Sequence, residues 1–182
     1  MNLPNRLTML RVIMIPFFIF FLLSDAIPNG KYIAAVIFIL ASLTDALDGY
    51  IARKYNLVTN FGKFMDPLAD KLLVCSGLIC FTAMETVKLP AWIVIVIISR
   101  EFIISGFRLV ASDNGVVIAA SYWGKFKTVS QMIMSILLIL KIENKLFFLL
   151  EQGFIYISVV LTVVSLTDYI WKNRGVLLEG SR

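Results

Sequence analysis

Apolar stretches recur along the chain with short polar punctuation, and their lengths and breaks predict six helices with cores at residues 7–27, 32–53, 68–87, 91–110, 126–140 and 146–170. Most are interrupted by single polar residues, so few reach the roughly 18 uninterrupted apolar positions that make a membrane span obvious. The breaks carry the count. Ser24, Asp25, Ala26, Ile27, Pro28, Asn29 and Gly30 are turn chemistry, Pro90 follows one helix end, and Asp113, Asn114 and Gly115 read as a loop. Residues 115–125 fit no span, and no internal repeat or low-complexity tract appears.

Composition changes the environment in which these helices must be placed. At 182 residues the chain is one domain, residues 1–182, by the rule of roughly 150 residues per domain. It is 59% apolar and 16% charged, too little polar surface to coat a water-soluble globule of this size, so the expected fold is an all-α polytopic membrane protein with six transmembrane helices. The absence of histidine excludes Ser-His-Asp triads and imidazole-ligated metals, leaving carboxylates, lysines and arginines for any chemistry. Cys75 and Cys80, five apart in an apolar stretch, are expected to be packing residues.

With the N-terminus inside, thirteen of the seventeen basic residues fall on the cytoplasmic side, and Lys31, Lys88, Lys141 and Lys145 fall outside. Both termini are therefore expected in the cytoplasm and the protein in the cell membrane. Arg6 and Arg11 before the apolar run 12–23, with Ser24 and Ala26 after it, also fit a cleavable leader, which would leave five spans.

Against this apolar background, charge concentrates at Asp45, Asp48, Arg53, Lys54, Lys63, Asp66, Asp70 and Lys71, where one span ends and the next begins. Ionisable groups in membrane helices cost a few kcal/mol each by insertion scales (~2.5–3.5), so such a cluster points to function. Asp45, Asp48, Gly49, Ala52 and Arg53 share one helical stripe, and Gly62, Asp66 and Asp70 share another. Antiparallel pairing of the two helices would bring four carboxylates together, and divalent cations reverse their mutual repulsion. With only oxygen donors, Mg²⁺ or Mn²⁺ is expected over Zn²⁺, in a polar cavity at the cytoplasmic side. The plain alternative is a set of helix-end ion pairs between these aspartates and Arg53, Lys54, Lys63 and Lys71. It gives no reason for Gly49, Ala52 and Gly62 to share the stripes.

The pattern D-x-x-D-G-x-x-A-R, eight residues, then G-x-x-x-D-x-x-x-D, from Asp45 to Asp70, resembles the signature of the CDP-alcohol phosphotransferase family at every fixed position. The resemblance implies transfer of a phosphoryl-linked group from a CDP-activated donor to an acceptor hydroxyl, with release of CMP. It implies metal ligation by Asp45, Asp48 and Asp66, with Asp70 a further ligand or the general base, and donor contacts from Gly49, Ala52, Arg53 and Gly62. Two ions and Arg53 together would neutralise the charge on the transferring group and on CMP. Asn5 and Thr8, three apart near the N-terminus with Arg11 a further step along, match polar positions that approach the nucleotide in the family. Helix capping and headgroup contact would place Asn5 and Thr8 equally well.

Arg100 and Arg108, eight apart on one face of the fourth span, together with Lys125 and Lys127, form a candidate site for the phosphate of a phosphorylated acceptor. Alternatively Arg100 pairs with Glu101 or a site aspartate, and the lysines snorkel to lipid headgroups. The segments around Ser99–Phe102, 115–117 and 124–128 are similar to the bacterial branch of the family that makes phosphatidylglycerol phosphate, implying CDP-diacylglycerol as donor and glycerol 3-phosphate as acceptor. Inositol phosphate, serine and phosphatidylglycerol are the competing acceptors, and a cation-coupled transporter is the competing class. The resemblance further implies membrane lipids and a second copy of the chain as partners, a homodimer, and no nucleic-acid partner is expected.

Overall fold

The computed structural model describes residues 2–24, 26–55, 59–113, 118 and 121–175. Within helices, the side chains of Ala46, Asp48, Tyr50, Ala52, Arg53, Asn60, Phe61, Lys63, Phe64, Ser112 and Asp113 lie outside that description. The described residues form six α-helices: α1 (Leu3–Leu23), α2 (Gly30–Lys54), α3 (Asn60–Ala83), α4 (Ala91–Asp113), α5 (Tyr122–Leu140) and α6 (Lys145–Lys172). The all-α class and the six-helix order match the sequence reading, and the boundaries move where caps decide them. Asn2 caps α1 by accepting from the Asn5 amide, so α1 begins four residues before the expected core. Thr59 caps α3 by accepting from the Gly62 amide, so α3 starts at Asn60 rather than at 68 and carries Pro67 within it. Tyr122–Lys125, assigned to no span from sequence, are the first turn of α5.

The length and hydropathy of the helices single out two of the six expected spans. Among the described residues two helices, α1 and α6, are long and apolar enough to cross a membrane by length and composition, each with mean hydropathy 2.0. The charged motif positions on α2 and α3 and Arg100, Glu101 and Arg108 on α4 dilute the apolar content of the helices between them.

Two compact units gather these helices: residues 1–88 with 138–141, and residues 89–137 with 142–182. In the first, α1 packs on α2 and α3. One stripe of α1 is buried, and it is polar in its first half (Asn5, Thr8, Arg11) and apolar in its second (Ile15, Phe18, Leu22). Phe18 meets Phe38 with ring centroids 5.6 Å apart. A Cβ at Gly77 would stand 3.4 Å from the Phe18 ring, and one at Gly30 would stand 2.8 Å from the Phe21 carbonyl oxygen. Gly30 is what lets the start of α2 lie so close to α1, and Ala34, Ala35 and Ala41 continue α2 with buried small side chains. Cys80 is buried and Cys75 half-buried in this unit, and neither forms a disulfide.

In the second unit α4 packs on α6. The buried face of α6 is Glu151, Ile155, Ser158, Thr162, Ser165 and Tyr169, spaced four and three apart, and Ser158 shares a 3.0 Å hydrogen bond with Ser130 of α5. The outward positions are the apolar ones: Phe17, Phe20, Leu40, Leu72, Ile79, Ile95, Phe102, Val129, Val160 and Val163 are all exposed. Buried hydroxyl pairs such as Ser130–Ser158 with large apolar side chains outside suit hydrocarbon, since lipid offers side chains no hydrogen bond.

Candidate active site

Helix α1 holds two of the motif aspartates, Asp45 and Asp66. Thr8 and Arg11 are three residues apart, hence neighbours on one face of α1, and each reaches a different motif helix. The Thr8 hydroxyl has a single proton and two acceptors, Asp66 Oδ1 of α3 at 2.5 Å and the Pro4 carbonyl at 3.1 Å. The Arg11 guanidinium, with no exposed surface, pairs through Nη1 with Asp45 Oδ1 of α2 at 2.8 Å and donates from Nε to the Ala41 carbonyl at 3.2 Å. One acid from each half of the motif is thereby held from the same face of α1.

A second network lies one turn earlier. The Thr59 hydroxyl accepts from the Gly62 amide at 3.0 Å and donates to Asn5 Oδ1 at 3.0 Å. A Cβ at Gly62 would meet Asn5 Oδ1 at 3.2 Å, Thr59 Oγ1 at 3.3 Å and Asp66 Oδ2 at 3.4 Å. The glycine of the motif is thus the position that leaves room for three polar groups to converge on the start of α3. Asn5 is buried with Thr8 and serves this network.

Asp70 is half-buried one turn beyond Asp66, and Asp45 keeps 38% of its side chain exposed. Asp48, Ala52 and Arg53 fall on α2, but their side chains lie outside the described residues, as do residues 115–117. Among the described residues no three acidic or thiol side chains stand close enough to hold one ion. The donor chemistry of the expected ligands still fits a hard divalent cation, since Asp45, Asp48, Asp66 and Asp70 offer only carboxylate oxygens.

The cationic residues of the second unit do not all converge. Arg100 Nε donates to Ser165 Oγ at 3.1 Å, and its Nη1 donates to Glu101 Oε1 at 2.9 Å. Lys127 Nζ pairs with the same Oε1. Arg108 instead lies over the Tyr169 ring, 5.6 Å from its centroid, and exposed Lys125 lies 5.5 Å from the Tyr122 centroid. The Arg100–Glu101 pairing is the one the sequence offered as an alternative. Sequence reasoning missed the partnership of Arg11 with Asp45 and the roles of Thr59, Ser165 and Tyr169. The signals available were an arginine on the Asn5–Thr8 face, a threonine before a helix start, and hydroxyls at 158, 162 and 165 in an apolar helix.

Residues 1–164 match the family model for CDP-alcohol phosphatidyltransferase. The chain belongs to the CDP-alcohol phosphatidyltransferase family. It is 46% identical to a CDP-diacylglycerol–glycerol-3-phosphate 3-phosphatidyltransferase of Bacillus subtilis over 191 aligned positions, covering 97% of each chain. An enzyme of the same name from Haemophilus influenzae is 38% identical, with 98% of this chain and 96% of the relative covered. A probable phosphatidylglycerophosphate synthase of Mycobacterium tuberculosis is 36% identical over 93% of this chain and 80% of its own. As a member of this transferase family the chain is a membrane-associated enzyme, and its motif runs from the Arg11 partner Asp45 through the Thr8 partner Asp66 to Asp70.

Thr8→Val keeps the side-chain shape and removes the one proton given to Asp66. A hydrogen bond to a charged group contributes about 1.5–3 kcal/mol, and Asp66 is half-buried, so a loss of about 1–2 kcal/mol is expected. Unfolding in detergent measures it, and an unchanged midpoint would mean the Thr8–Asp66 bond contributes nothing to stability.

Proposed function

We propose that this protein transfers the phosphatidyl group of CDP-diacylglycerol to sn-glycerol 3-phosphate, giving phosphatidylglycerol phosphate and CMP. The observation that carries the reading is the fixing of Asp45 and Asp66, one from each half of the family motif, by Arg11 and Thr8 of α1. The names of the relatives, matched over nearly the whole chain, support the donor and acceptor.

The acceptor hydroxyl attacks the phosphorus that bears the diacylglycerol, the bond from that phosphorus to the bridging oxygen breaks, and CMP leaves with the electron pair. Asp70, one turn beyond Asp66, takes the hydroxyl proton as general base. Asp45, Asp48, Asp66 and, in its ligand role, Asp70 would hold Mg²⁺ or Mn²⁺, two ions in this reading, and bound metal would supply neutralising charge on the phosphoryl oxygens. Arg53 clamps the CDP phosphates, and Gly49, Ala52 and Gly62 leave space for the nucleotide. Asn5 and Thr8 act on the donor side through Thr59 and Asp66. Arg100 and Lys127, with Arg108 and Lys125, attract the phosphate of the acceptor.

All six helices lie in the bilayer in this reading, with residues 1–182 acting as one domain, both termini and the active site cytoplasmic, and two copies forming a homodimer. Helix length supports the spans, since 19–28 residues at about 1.5 Å each reach across a hydrocarbon core of about 30 Å. The exposed apolar side chains on α2 to α5 support the same reading. The donor's acyl chains need never leave lipid while its headgroup reacts.

The test is CMP release by purified protein with labelled CDP-diacylglycerol and, in turn, glycerol 3-phosphate, inositol phosphate, serine and phosphatidylglycerol. Release with glycerol 3-phosphate alone is expected. Release with another acceptor alone reassigns the substrate, and no release with any of the four counts against this donor and acceptor pair.

A further inference from the structure

Two buried cations in the second unit share one carboxylate. Arg100 and Lys127 keep 8% and 3% of their surface, and both are directed at the same oxygen, Oε1 of Glu101. Three helices build the arrangement: α4 supplies Arg100 and Glu101, α5 supplies Lys127, and Ser165 of α6 fixes the guanidinium from its Nε side. Gly124, one turn before Lys127, faces the remaining guanidinium nitrogen, and a Cβ there would lie 3.4 Å from Nη2. Among the described side chains one carboxylate oxygen is therefore shared by two cations in a place with little water.

That sharing has a chemical meaning. Two buried cations left alone would repel strongly, so the unliganded protein needs Glu101 to neutralise them. A carboxylate offers a charge of −1 and here one oxygen to both cations. A phosphate monoester at neutral pH offers about −1.5 to −2 and three acceptor oxygens in the geometry that guanidinium groups match best.

We propose that Glu101 is a built-in stand-in for the acceptor's phosphate, a specificity-determining residue that only a dianion displaces from Arg100 and Lys127. The idea rests on the acceptor reading above and deepens it. A monoanionic or neutral acceptor exchanges one charge for an equal or smaller one and gains nothing, so Glu101 rejects it. Glycerol 3-phosphate gains charge by the exchange and enters.

The experiment compares glycerol 3-phosphate with its methyl phosphodiester, a permanent monoanion, in the wild type and in Glu101→Gln. The variant is expected to lower KM for glycerol 3-phosphate by about tenfold and to narrow the preference for dianion over monoanion by about tenfold, the scale of one lost charge pairing. Any steric handicap of the methyl group cancels in that ratio. Because glutamine leaves two buried cations unneutralised and the variant can fail to fold, Glu101→Asp is measured beside it. Aspartate keeps the charge but withdraws it by one methylene, and is expected to lower KM by about two- to threefold. A raised or unchanged KM in a folded variant, or an unchanged dianion preference in Glu101→Gln, overturns the proposal. Thermal protection by inorganic phosphate separates this from the function reading. Stronger protection of the Glu101 variants than of the wild type supports displacement even if glycerol 3-phosphate proves not to be the acceptor, and equal protection counts against it.

Discussion

Replacing Asp70 with asparagine is expected to lower CMP release by about a thousandfold while CDP-diacylglycerol binding changes by less than about threefold, the signature of a lost general base. Asparagine is nearly isosteric with aspartate and keeps an acceptor oxygen, but at neutral pH it takes up no proton. Asp70 stands one turn beyond Asp66, and Asp66 is itself tied to Thr8, so the two acids are separable by experiment. Asp66→Asn disturbs a side chain linked to α1 and is expected to weaken metal dependence and turnover together. Asp70→Asn spares that link. Turnover read as CMP release in mixed micelles, with donor affinity from equilibrium binding, distinguishes them. An Asp70→Asn protein that keeps more than about a tenth of its rate would remove Asp70 from proton transfer, since general-base contributions run from about a hundredfold upward.

What sequence shows and what it hides divides along the distance over which residues act. The six helices follow from local pattern, and the corrected starts of α1 and α3 follow from caps at Asn2 and Thr59, signals equally present in the sequence but outweighed by apolar runs. The motif spacing places Asp45, Asp48, Asp66 and Asp70 on two stripes because helical geometry is local. What no spacing shows is which residue outside the motif holds each acid. Thr8 and Asp66 are 58 positions apart, and Arg11 reads in the sequence as one more basic residue at the head of a span. The same limit explains the cationic residues of α4 and α5. Arg100 and Arg108 share a helical face by number, yet Arg100 turns to Glu101 and Ser165 while Arg108 covers Tyr169, because α6 presents a hydroxyl at one level and a ring one turn later. Reading α6 as a plain apolar span hid its polar face, although Ser158, Thr162 and Ser165 recur at helical spacing.

Arg11 offers the sharpest test of how α1 supports the site, because its two partners differ in what they tolerate. The guanidinium has no exposed surface, whereas the Asp45 side chain is 38% exposed. Removing the arginine leaves a carboxylate that water can reach, and removing the carboxylate leaves a buried cation without its acid. Breaking a buried pair costs about 3–5 kcal/mol when the orphaned charge stays dry, and less when it can hydrate. Asp45→Ala is therefore expected to destabilise by about 3–4 kcal/mol and Arg11→Met by about 2–3 kcal/mol, an order set by which charge is stranded. Met also gives up the bond to the Ala41 carbonyl, which keeps its cost well above zero. The double variant, with neither charge present, is expected to lose about 1–3 kcal/mol less than the sum of the singles. Activity should separate from stability: Arg11→Met is expected to keep roughly 1–10% of turnover, the usual cost of losing a residue that orients a ligand, while the double variant folds and stays inactive without Asp45. Unfolding midpoints in detergent beside CMP release give both readouts. Additive stability losses would show that the 2.8 Å contact does not couple α1 to α2, and a double variant with turnover would take Asp45 out of the site.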